Sequence, residues 1–193
     1  MDAIDAIYGR RAIRRYTGQV PPREEIESLI EAAAQAPSGM NLQPWAFVVV
    51  EGRATLVDHS ARAKAHLVRG MPGGSPFVAH RDALLDPEFN IFHEAAVLVV
   101  ICSTEPDAMS IKDCCLAAQN LMLAAHDRHL GTCWIGFAEA WLNSRDGKPG
   151  LGIPDSYTAV APIVLGYPAE QPVRPHRKVP DVRWIVEHAP LHA

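Results

Sequence analysis

Four arginines stand close together near the start of the chain, in the segment GRRAIRRYTG. Arg10, Arg11, Arg14 and Arg15 fall within six positions, although the whole chain carries a formal net charge of -4. A guanidinium group matches the oxygens of a phosphate in two-point geometry, so several on one segment can clamp a phosphate. The segment therefore favours binding of a phosphate-bearing ligand. The alternative is a solvated basic surface that pairs with nearby glutamates.

Two further stretches place polar or aromatic side chains at the borders of apolar segments. PSGMNLQPW (37–45) carries the hydroxyl of Ser38 and the amides of Asn41 and Gln43 directly before an apolar run. Loops at a sheet edge commonly carry binding residues, although the same residue types also make ordinary turns. LGTCWIGF (130–137) offers a tryptophan between two glycines, which allow a ligand to approach the backbone closely. A buried core strand is the simpler interpretation of this stretch taken alone.

Length and composition indicate one folded domain over residues 1–193. Hydrophobic residues make up 48% and charged residues 21% of the 193 residues, and a chain of this length buries roughly 70% of its unfolded surface. The pI near 6.1 argues against nucleic-acid or membrane-surface binding, which needs a broad basic face. No apolar run approaches the roughly 20 residues of a membrane span. Four cysteines without CxxC spacing indicate reduced thiols rather than a disulfide framework or zinc site, so we expect a cytoplasmic protein.

Hydrophobic periodicity predicts alternating helices and strands. Helices are expected around residues 4–7, 22–36, 53–68 and 110–130, and strands over 46–50, 96–102, 132–137 and 158–165. The first and second of these strands are continuous apolar runs and are predicted to be buried. Ser110 and Asp113 predict a capping box, and Pro162 predicts an edge or a bulge. Glycine and proline predict a long loop over residues 70–90 and an extended tail from residue 168.

In this order and at these separations, the three stretches resemble the FMN-dependent nitroreductase family. The family's opening motif, RRSxRxF, appears as RRAIRRY (10–16), and its motif APSxxNxQPWxF is matched by APSGMNLQPWAF (36–47). The segments AAQNLMLAA (117–125), LGTCWIG (130–136) and LGYP (165–168) repeat the family's second half. The resemblance covers nearly the whole chain, and the second motif is the most specific.

The resemblance implies an α+β fold with a mixed central sheet flanked by helices on both faces. It also implies a homodimer with an extended C-terminal arm (168–193) and two FMN sites at the interface, each built from both subunits. The FMN phosphate is then the anion that the arginines hold, and Arg15 is expected at the surface. The residues carried over from one subunit are Arg10, Arg11, Ala12, Arg14, Trp134, Ile135, Gly136, and Arg177 or Lys178 from the arm. The loop expected to reach in from the partner contains Pro37, Ser38, Met40, Asn41 and Gln43.

For the reaction, the resemblance implies electron transfer from NADH or NADPH to an electron-poor small molecule by a ping-pong mechanism. Nitroaromatics, quinones and activated alkenes are the expected acceptors. The flavin carries this chemistry, so neither a catalytic side chain nor a metal is required. GxGxxG is absent, which argues against a separate Rossmann site for the nicotinamide. We interpret His126 and His129, near Cys133, as a chance pair rather than a metal site.

Two other functional classes stay open. The chain could be a flavin-binding or sensing protein without rapid turnover, or a specialised family enzyme such as a dehalogenase. A dehalogenase-type site usually adds a lid with Glu, Tyr and Lys. Residues 70–90 contain Arg81, Asp82 and Glu88 but neither Tyr nor Lys, which disfavours that activity.

Two positions depart from the family pattern. Ala12 stands where the pattern has Ser, so a hydroxyl contact to phosphate is lost and only backbone can replace it. Glu94-Ala95-Ala96 replaces the usual Gly-Ala-Pro before a strand. These departures bear on the substrate more than on the cofactor.

Overall fold

A four-stranded antiparallel sheet forms the centre of the computed structural model, which describes residues 1–170, 173 and 175–185. Its strands, in spatial order β1-β2-β4-β3, are β1 (Trp45–Glu51), β2 (Val97–Ser103), β4 (Thr158–Gly166) and β3 (Gly131–Trp134). All three pairings are antiparallel, so the predicted mixed sheet is corrected. Within the described residues, parallel pairing is confined to a bridge between Ala12 and Thr132. The arginine segment forms this one bridge with β3 before it continues to Tyr16, which bridges Pro168.

Helices cover both faces of the sheet, as predicted. They are α1 (Ala3–Gly9), α2 (Arg23–Ala33), α3 (Arg53–Gly70), α4 (Arg81–Leu85), α5 (Ala108–Asp127) and α6 (Glu139–Leu142). One core packs α2 and α5 against Val97, Val99 and Ile101, and the other packs α3 and α6 against Leu98, Val100 and Cys102. Because successive side chains of a strand point to opposite faces, β2 is buried on both of them.

The start of α5 differs from its prediction. The N-cap is Asp107, whose Oδ1 accepts hydrogen bonds from the N–H groups of Met109 at 2.8 Å and Ser110 at 3.0 Å. Ser110 lies inside the first turn, and its hydroxyl donates to Asp107 Oδ2. The predicted capping box of Ser110 and Asp113 is therefore wrong. An aspartate three residues earlier already satisfies the free N–H groups of this helix end.

Two strands also differ in detail from the sequence prediction. β1 is half-buried or exposed rather than fully buried, because it is an edge strand and no other strand of the described residues pairs with its outer side. Pro162 lies in β4, an inner strand, so the edge alternative is wrong. The bulge alternative agrees with a register shift between β2 and β4, where Ile101 pairs with Ala161 and Cys102 with Ala159. The last pair between β3 and β4 joins Trp134 to Ile163, and the next N–H, that of Ile135, donates to the Pro162 carbonyl at 2.8 Å. Because β3 ends at this point, the missing N–H of Pro162 is tolerated.

The segment between α3 and β2 is more ordered than the predicted loop. It contains a short 3-10 turn at Val78–His80 and the helix α4. The buried Lys64 of α3 donates from Nζ to the carbonyls of Asp86 and Phe89, each at 2.6 Å. A hydrogen bond to a charged group contributes about 1.5–3 kcal/mol, so this ammonium holds the end of the segment against α3.

The C-terminal arm is extended over its described part. Residues 175–185 have no helix or strand, and Trp184 and Ile185 are 86% and 98% exposed in the protomer. The last eight residues of the predicted arm, 186–193, lie outside the described residues. In the part of the chain that the structure describes, no helix has the length and apolar character needed to span a bilayer.

Candidate functional site

The arginine segment lies along the outer edge of β3 and is held there by backbone contacts. The N–H of Ile13 donates to the carbonyl of Thr132 at 2.9 Å. A Cβ atom at Gly131 would lie 2.7 Å from Ile13 Cγ1, so this close approach requires glycine. Further along, the Tyr16 hydroxyl donates to the Ile13 carbonyl at 2.8 Å, and the Tyr16 ring packs on Gly166. The segment therefore has a fixed register on β3.

This register sorts the side chains of the segment onto two sides of β3. Successive side chains of extended backbone point in opposite directions. Ala12, Arg14 and Tyr16 lie on the side of Cys133, and Arg11 and Ile13 lie on the side of Thr132. The structure therefore does not bring Arg11 and Arg14 to one face, although both were predicted to hold one phosphate.

Positive charge is concentrated where the segment begins. Burial lowers the pKa of Arg10, and the neighbouring charges of Arg11 and Arg177 lower it further. Within the described residues, neither Arg10 nor Arg14 forms an ion pair. Arg15 is a surface residue, as predicted, and pairs with Glu170 at 3.2 Å. Arg177 thus lies within electrostatic range of the cluster, whereas no contact in the described part of the chain places Lys178 there.

The residues after β3 form one wall of a cavity of about 190 Å³ beside Arg14. Trp134 lies in this wall, and its Nε1 donates to Glu139 Oε1 at 2.7 Å, which fixes the orientation of the indole. Burial raises the pKa of Glu139, and this hydrogen bond opposes the rise. The N–H of Gly136 has no acceptor among the described residues. A Cβ atom there would make only ordinary contacts of 3.9 Å or more, so the protein's own packing does not require glycine at this position.

Aromatic side chains from the segment after α3 cover this cavity. Phe77 contacts Phe137 edge to face, with ring centroids 5.1 Å apart. His80 contacts the same phenylalanine ring at 5.6 Å. Because no motif marks residues 70–90, sequence reasoning missed Phe77, and its aromatic type was the only available signal.

His93 is a second lining residue that sequence reasoning missed. It lies beside Arg14 in the cavity wall, with a left-handed φ of 54°, and Glu94 follows at 57°. Burial, and secondarily the charge of Arg14, lowers the pKa of His93 to about 4. The imidazole is therefore neutral at physiological pH. The sequence signal that could have pointed to His93 was the departure from the family pattern that begins at the adjacent Glu94.

The loop formed by residues 37–45, here called the polar loop, has a strained conformation that its own side chains maintain. Met40, Asn41 and Gln43 have φ values of 51°, 56° and 51°, a region that such residues rarely adopt. Ser38 Oγ accepts the Gln43 N–H at 3.0 Å, and Asn41 Oδ1 accepts from Gln43 Nε2 at 3.1 Å. Gly39 lets the loop approach α5 closely, because a Cβ atom there would overlap a methionine side chain of α5. Met40 is 83% exposed, so the loop presents its tip to the outside of the protomer.

The polar loop and the arginine segment lie at opposite corners of the protomer. The loop leads into Trp45 of β1, at the end of the sheet marked by Ser103 and Thr158. The arginine segment lies beyond β3, level with Leu165 of β4. Strand spacings and the rise per residue place the two about 19 Å apart across the sheet and about 23 Å along it. One protomer therefore does not bring its own loop and arginines together.

We expect His93 to titrate with a midpoint near pH 4 in the folded protein, which NMR of its ring protons measures. Because this pKa lies below the ordinary value of 6.5, the unfolded chain takes up the proton first, and the free energy of unfolding falls as pH drops from 6.5 towards 4. Arg14→Gln removes a neighbouring positive charge and raises the midpoint. The control Arg15→Gln leaves it unchanged. An ordinary midpoint in the unmodified protein would contradict the burial of His93 in this wall.

Comparison with known proteins agrees with this architecture. A protein-family sequence model described as "Nitroreductase family" matches residues 7–167 of this chain. A 4-nitrobenzoate reductase from a Nocardioides strain is 29% identical over 213 residues, covering 90% of this chain and 84% of that protein. A nitroreductase with bound FMN from Bacteroides fragilis is 26% identical, with a TM-score of 0.81, and covers 97% of this chain and 100% of its own.

A second solved structure, a nitroreductase with bound FMN from Desulfitobacterium hafniense, is also 26% identical, with a TM-score of 0.78. It covers 96% of this chain and 99% of its own. The resemblance seen in the motifs thus extends over the folded chain. This chain belongs to the nitroreductase family.

Proposed function

We propose that this protein is an FMN-dependent oxidoreductase that transfers electrons from NADH or NADPH to an electron-poor small molecule. The observation that carries the proposal is the pairing of a cationic cluster with a flat apolar wall. Arg10 and Arg14 have no ion pair within the described residues. Arg14 adjoins the wall that Trp134 and Gly136 form, and Arg10 lies within electrostatic range of Cys133 in the same wall. A phosphate at one end and a planar ring at the other match this arrangement.

The residues of the site fit FMN. We assign its phosphate to Arg10, Arg14 and Arg177, with backbone contacts at Ala12 in place of the family's serine. Arg11 lines the same cavity as Arg10 and stays a candidate for this phosphate, whereas Lys178 is left out because no described contact brings it to the cluster. FMN, when bound, would supply the hydride and electron transfer.

The side chains of the wall act by orientation and by exclusion of water. The N–H of Gly136 has no acceptor within the described residues, and Gly136 lines the cavity. A free donor at this place would stabilise negative charge that develops during electron transfer. Glu139 fixes the indole of Trp134 through the hydrogen bond at 2.7 Å. The rings of Phe77 and Phe137 shield the opening from water and suit a planar acceptor. A nitroaromatic, a quinone or an activated alkene is of this kind.

We also propose that the site is shared between two copies of the chain. The loop with Pro37, Ser38, Met40, Asn41 and Gln43 lies too far from the arginines of its own protomer to contact the same flavin. Asn41 Nδ2 and Gln43 Oε1 have no hydrogen bond within the described residues and are available to a ligand held by the partner. The extended arm exposes Trp184 and Ile185, which a second subunit would cover. Four free cysteines suit a cytoplasmic location.

Purified protein should be yellow, and mass spectrometry of the released cofactor should identify FMN rather than FAD. The arginine cluster beside the flavin wall provides one phosphate clamp, which suits the single phosphate of FMN. The flavin absorbance should bleach under NADH or NADPH and return when a nitroaromatic or quinone is added. FAD as the dominant cofactor would overturn the assignment. FMN that resists reduction would instead favour a binding or sensing role.

Arg14→Ala should weaken FMN binding by about 1.5–3 kcal/mol, the range for a hydrogen bond to a charged group. Arg15→Ala is the matched control, because its side chain is 73% exposed and paired with Glu170. Fluorescence titration of FMN into apoprotein measures both affinities. Equal losses would mean that the arginines act as a diffuse basic surface.

Mixed dimers test the shared site directly. Arg14→Ala and Asn41→Ala subunits should each be inactive alone, because each lesion damages both sites of its homodimer. In a heterodimer both lesions fall on one site and leave the other intact. Activity per heterodimer should therefore rise towards half of the value for two intact sites. Heterodimers that form, as shown by two different affinity tags, but remain inactive would rule out the shared site.

A further inference from the structure

We propose that His93 takes up a proton from solvent when the flavin in the adjoining cavity is reduced, and so compensates the negative charge that arrives on the ring. The cavity is the one of about 190 Å³ whose wall His93 shares with Arg14, Trp134 and Gly136. The inference rests on the proposed function, because it takes FMN to occupy this cavity. It adds a proton-accepting group to a site whose other assigned residues bind, orient or exclude water.

The backbone around His93 is a strained turn that places this residue in the cavity wall. His93 and Glu94 have φ values of 54° and 57°, a left-handed region that residues other than glycine rarely adopt. The carbonyl of Asn90 accepts the N–H of His93 at 2.9 Å, and its Oδ1 accepts the N–H of Phe92 at 2.8 Å. The Nδ2 of Asn90 also donates to Glu94 Oε1 at 2.9 Å. These three hydrogen bonds retain the turn and hold His93 in the wall.

The imidazole of His93 packs against an aromatic ring, while its nitrogens remain free. Its ring centroid lies 6.2 Å from that of Phe89, in an edge-to-face arrangement. The carbonyl of Phe89 accepts from Lys64 Nζ at 2.6 Å, which fixes the segment that carries both rings. Within the described residues, neither ring nitrogen of His93 has a hydrogen-bond partner. A half-buried imidazole in this condition can respond to a group that enters the cavity.

The charged groups around His93 are positive. Arg14 of the arginine segment lies within electrostatic range of the imidazole and has no ion pair within the described residues. Lys64 of α3 lies against Phe89, with Nζ 6.0 Å from the centre of that ring. Cys133 of β3 lines the same cavity, and burial raises the pKa of its thiol, which is therefore uncharged at neutral pH.

Two carboxylates near the cavity are engaged with other groups. Glu94 follows His93, and its Oε2 pairs with Arg53 Nε at 3.6 Å. Glu139 accepts the indole N–H of Trp134 at 2.7 Å. None of the described residues that line the cavity is acidic. A negative charge that enters the cavity therefore meets a cation and an uncharged base, with no carboxylate in the wall to oppose it.

Reduction by NADH or NADPH brings such a charge to the ring. The hydride carries two electrons and one proton, and the nicotinamide leaves as the oxidised cation, so the ring gains one negative charge. An opposite charge within about 4–6 Å raises the pKa of an imidazole by about one to three units. His93 then binds one proton from solvent and becomes an imidazolium. When the acceptor takes the electrons, the negative charge leaves the ring and His93 returns its proton to solvent.

An imidazole suits this role because its charge is not permanent. Burial and the charge of Arg14 hold the pKa of His93 at about 4, so the imidazole adds no second cation beside Arg14 in the oxidised protein. A lysine or arginine at this position would repel Arg14 in both redox states. Histidine supplies the second positive charge only when a negative charge is present to balance it.

The first test follows the protonation of His93 in the FMN-loaded dimer. Isotope labelling of the histidines lets NMR follow each imidazole, and the signal that disappears in His93→Gln identifies His93. We expect a midpoint near pH 4 in the apoprotein and little change with oxidised FMN. After reduction with dithionite, the midpoint should rise by about one to three pH units. Dithionite replaces NADH, so the result does not depend on the natural electron donor.

The second test measures the reduction potential of bound FMN from about pH 5 to about pH 8, a range that includes the ordinary pKa of histidine. A two-electron couple shifts by about 30 mV per pH unit for each proton taken up. The hydride accounts for one proton, so His93→Gln should show this slope throughout. In the unmodified protein the slope should double below the raised midpoint of His93. His66→Gln, the same substitution on α3 outside the wall, should behave like the unmodified protein.

The outcomes separate this inference from the proposed function. A His93 midpoint that stays near pH 4 after reduction would overturn the inference and leave the proposed function intact. A rise that already accompanies oxidised FMN would place the phosphate rather than the ring beside His93, and would also overturn it. A doubled slope that persists in His93→Gln would show that the second proton binds elsewhere. Protein that binds no FMN would overturn the proposed function and this inference together.

Discussion

The close contact between the arginine segment and β3 is the constraint on which both sides of the site depend. Gly131 permits it, since a Cβ atom there would lie 2.7 Å from Ile13. With the N–H of Ile13 bonded to Thr132, the side chains from Arg11 to Tyr16 alternate between the two sides of β3. A shift by one residue would exchange the two sides and carry Arg14 away from Cys133. The fixed register therefore decides on which side of β3 Arg11 and Arg14 lie.

The polar loop follows a different physical rule, because strain rather than packing defines it. Three left-handed residues other than glycine each cost of order 1–3 kcal/mol, and the loop retains them through Ser38, Asn41 and the contact of Gly39 with Asp113. Nothing in the described protomer uses the exposed tip that results. A conformation maintained at such cost and directed outwards is understandable if another molecule completes the contacts.

Much of the fold could be predicted because local patterns and tertiary packing agree. β2 is a continuous apolar run and is buried on both faces, and α2 begins directly after its N-cap Pro22, with two glutamates in its first turn. β1 has a similar apolar run but lies at an edge, which the sequence could not show because the order of the strands depends on pairings between distant segments. Pro162 is tolerated inside the sheet because β3 ends beside it, and this too depends on a distant pairing that the sequence does not reveal.

The site could be predicted as a set of residues but not as a geometry. The motif marks all the arginines alike, and only the register on β3 separates Arg11 from Arg14. His93 and Phe77 enter the wall from a segment without a motif, held by buried Lys64. The separation of Arg11 and Arg14 has an electrostatic consequence. The chain has a net charge of -4, yet it places these cations on both sides of one strand, and the nearby carboxylates of Asp127 and Glu170 pair with other groups. Arg10 lines the cavity on the Thr132 side and also lies within electrostatic range of Cys133 on the other side. One anion bound beside Arg10 therefore reduces the repulsion among cations on both sides of the strand.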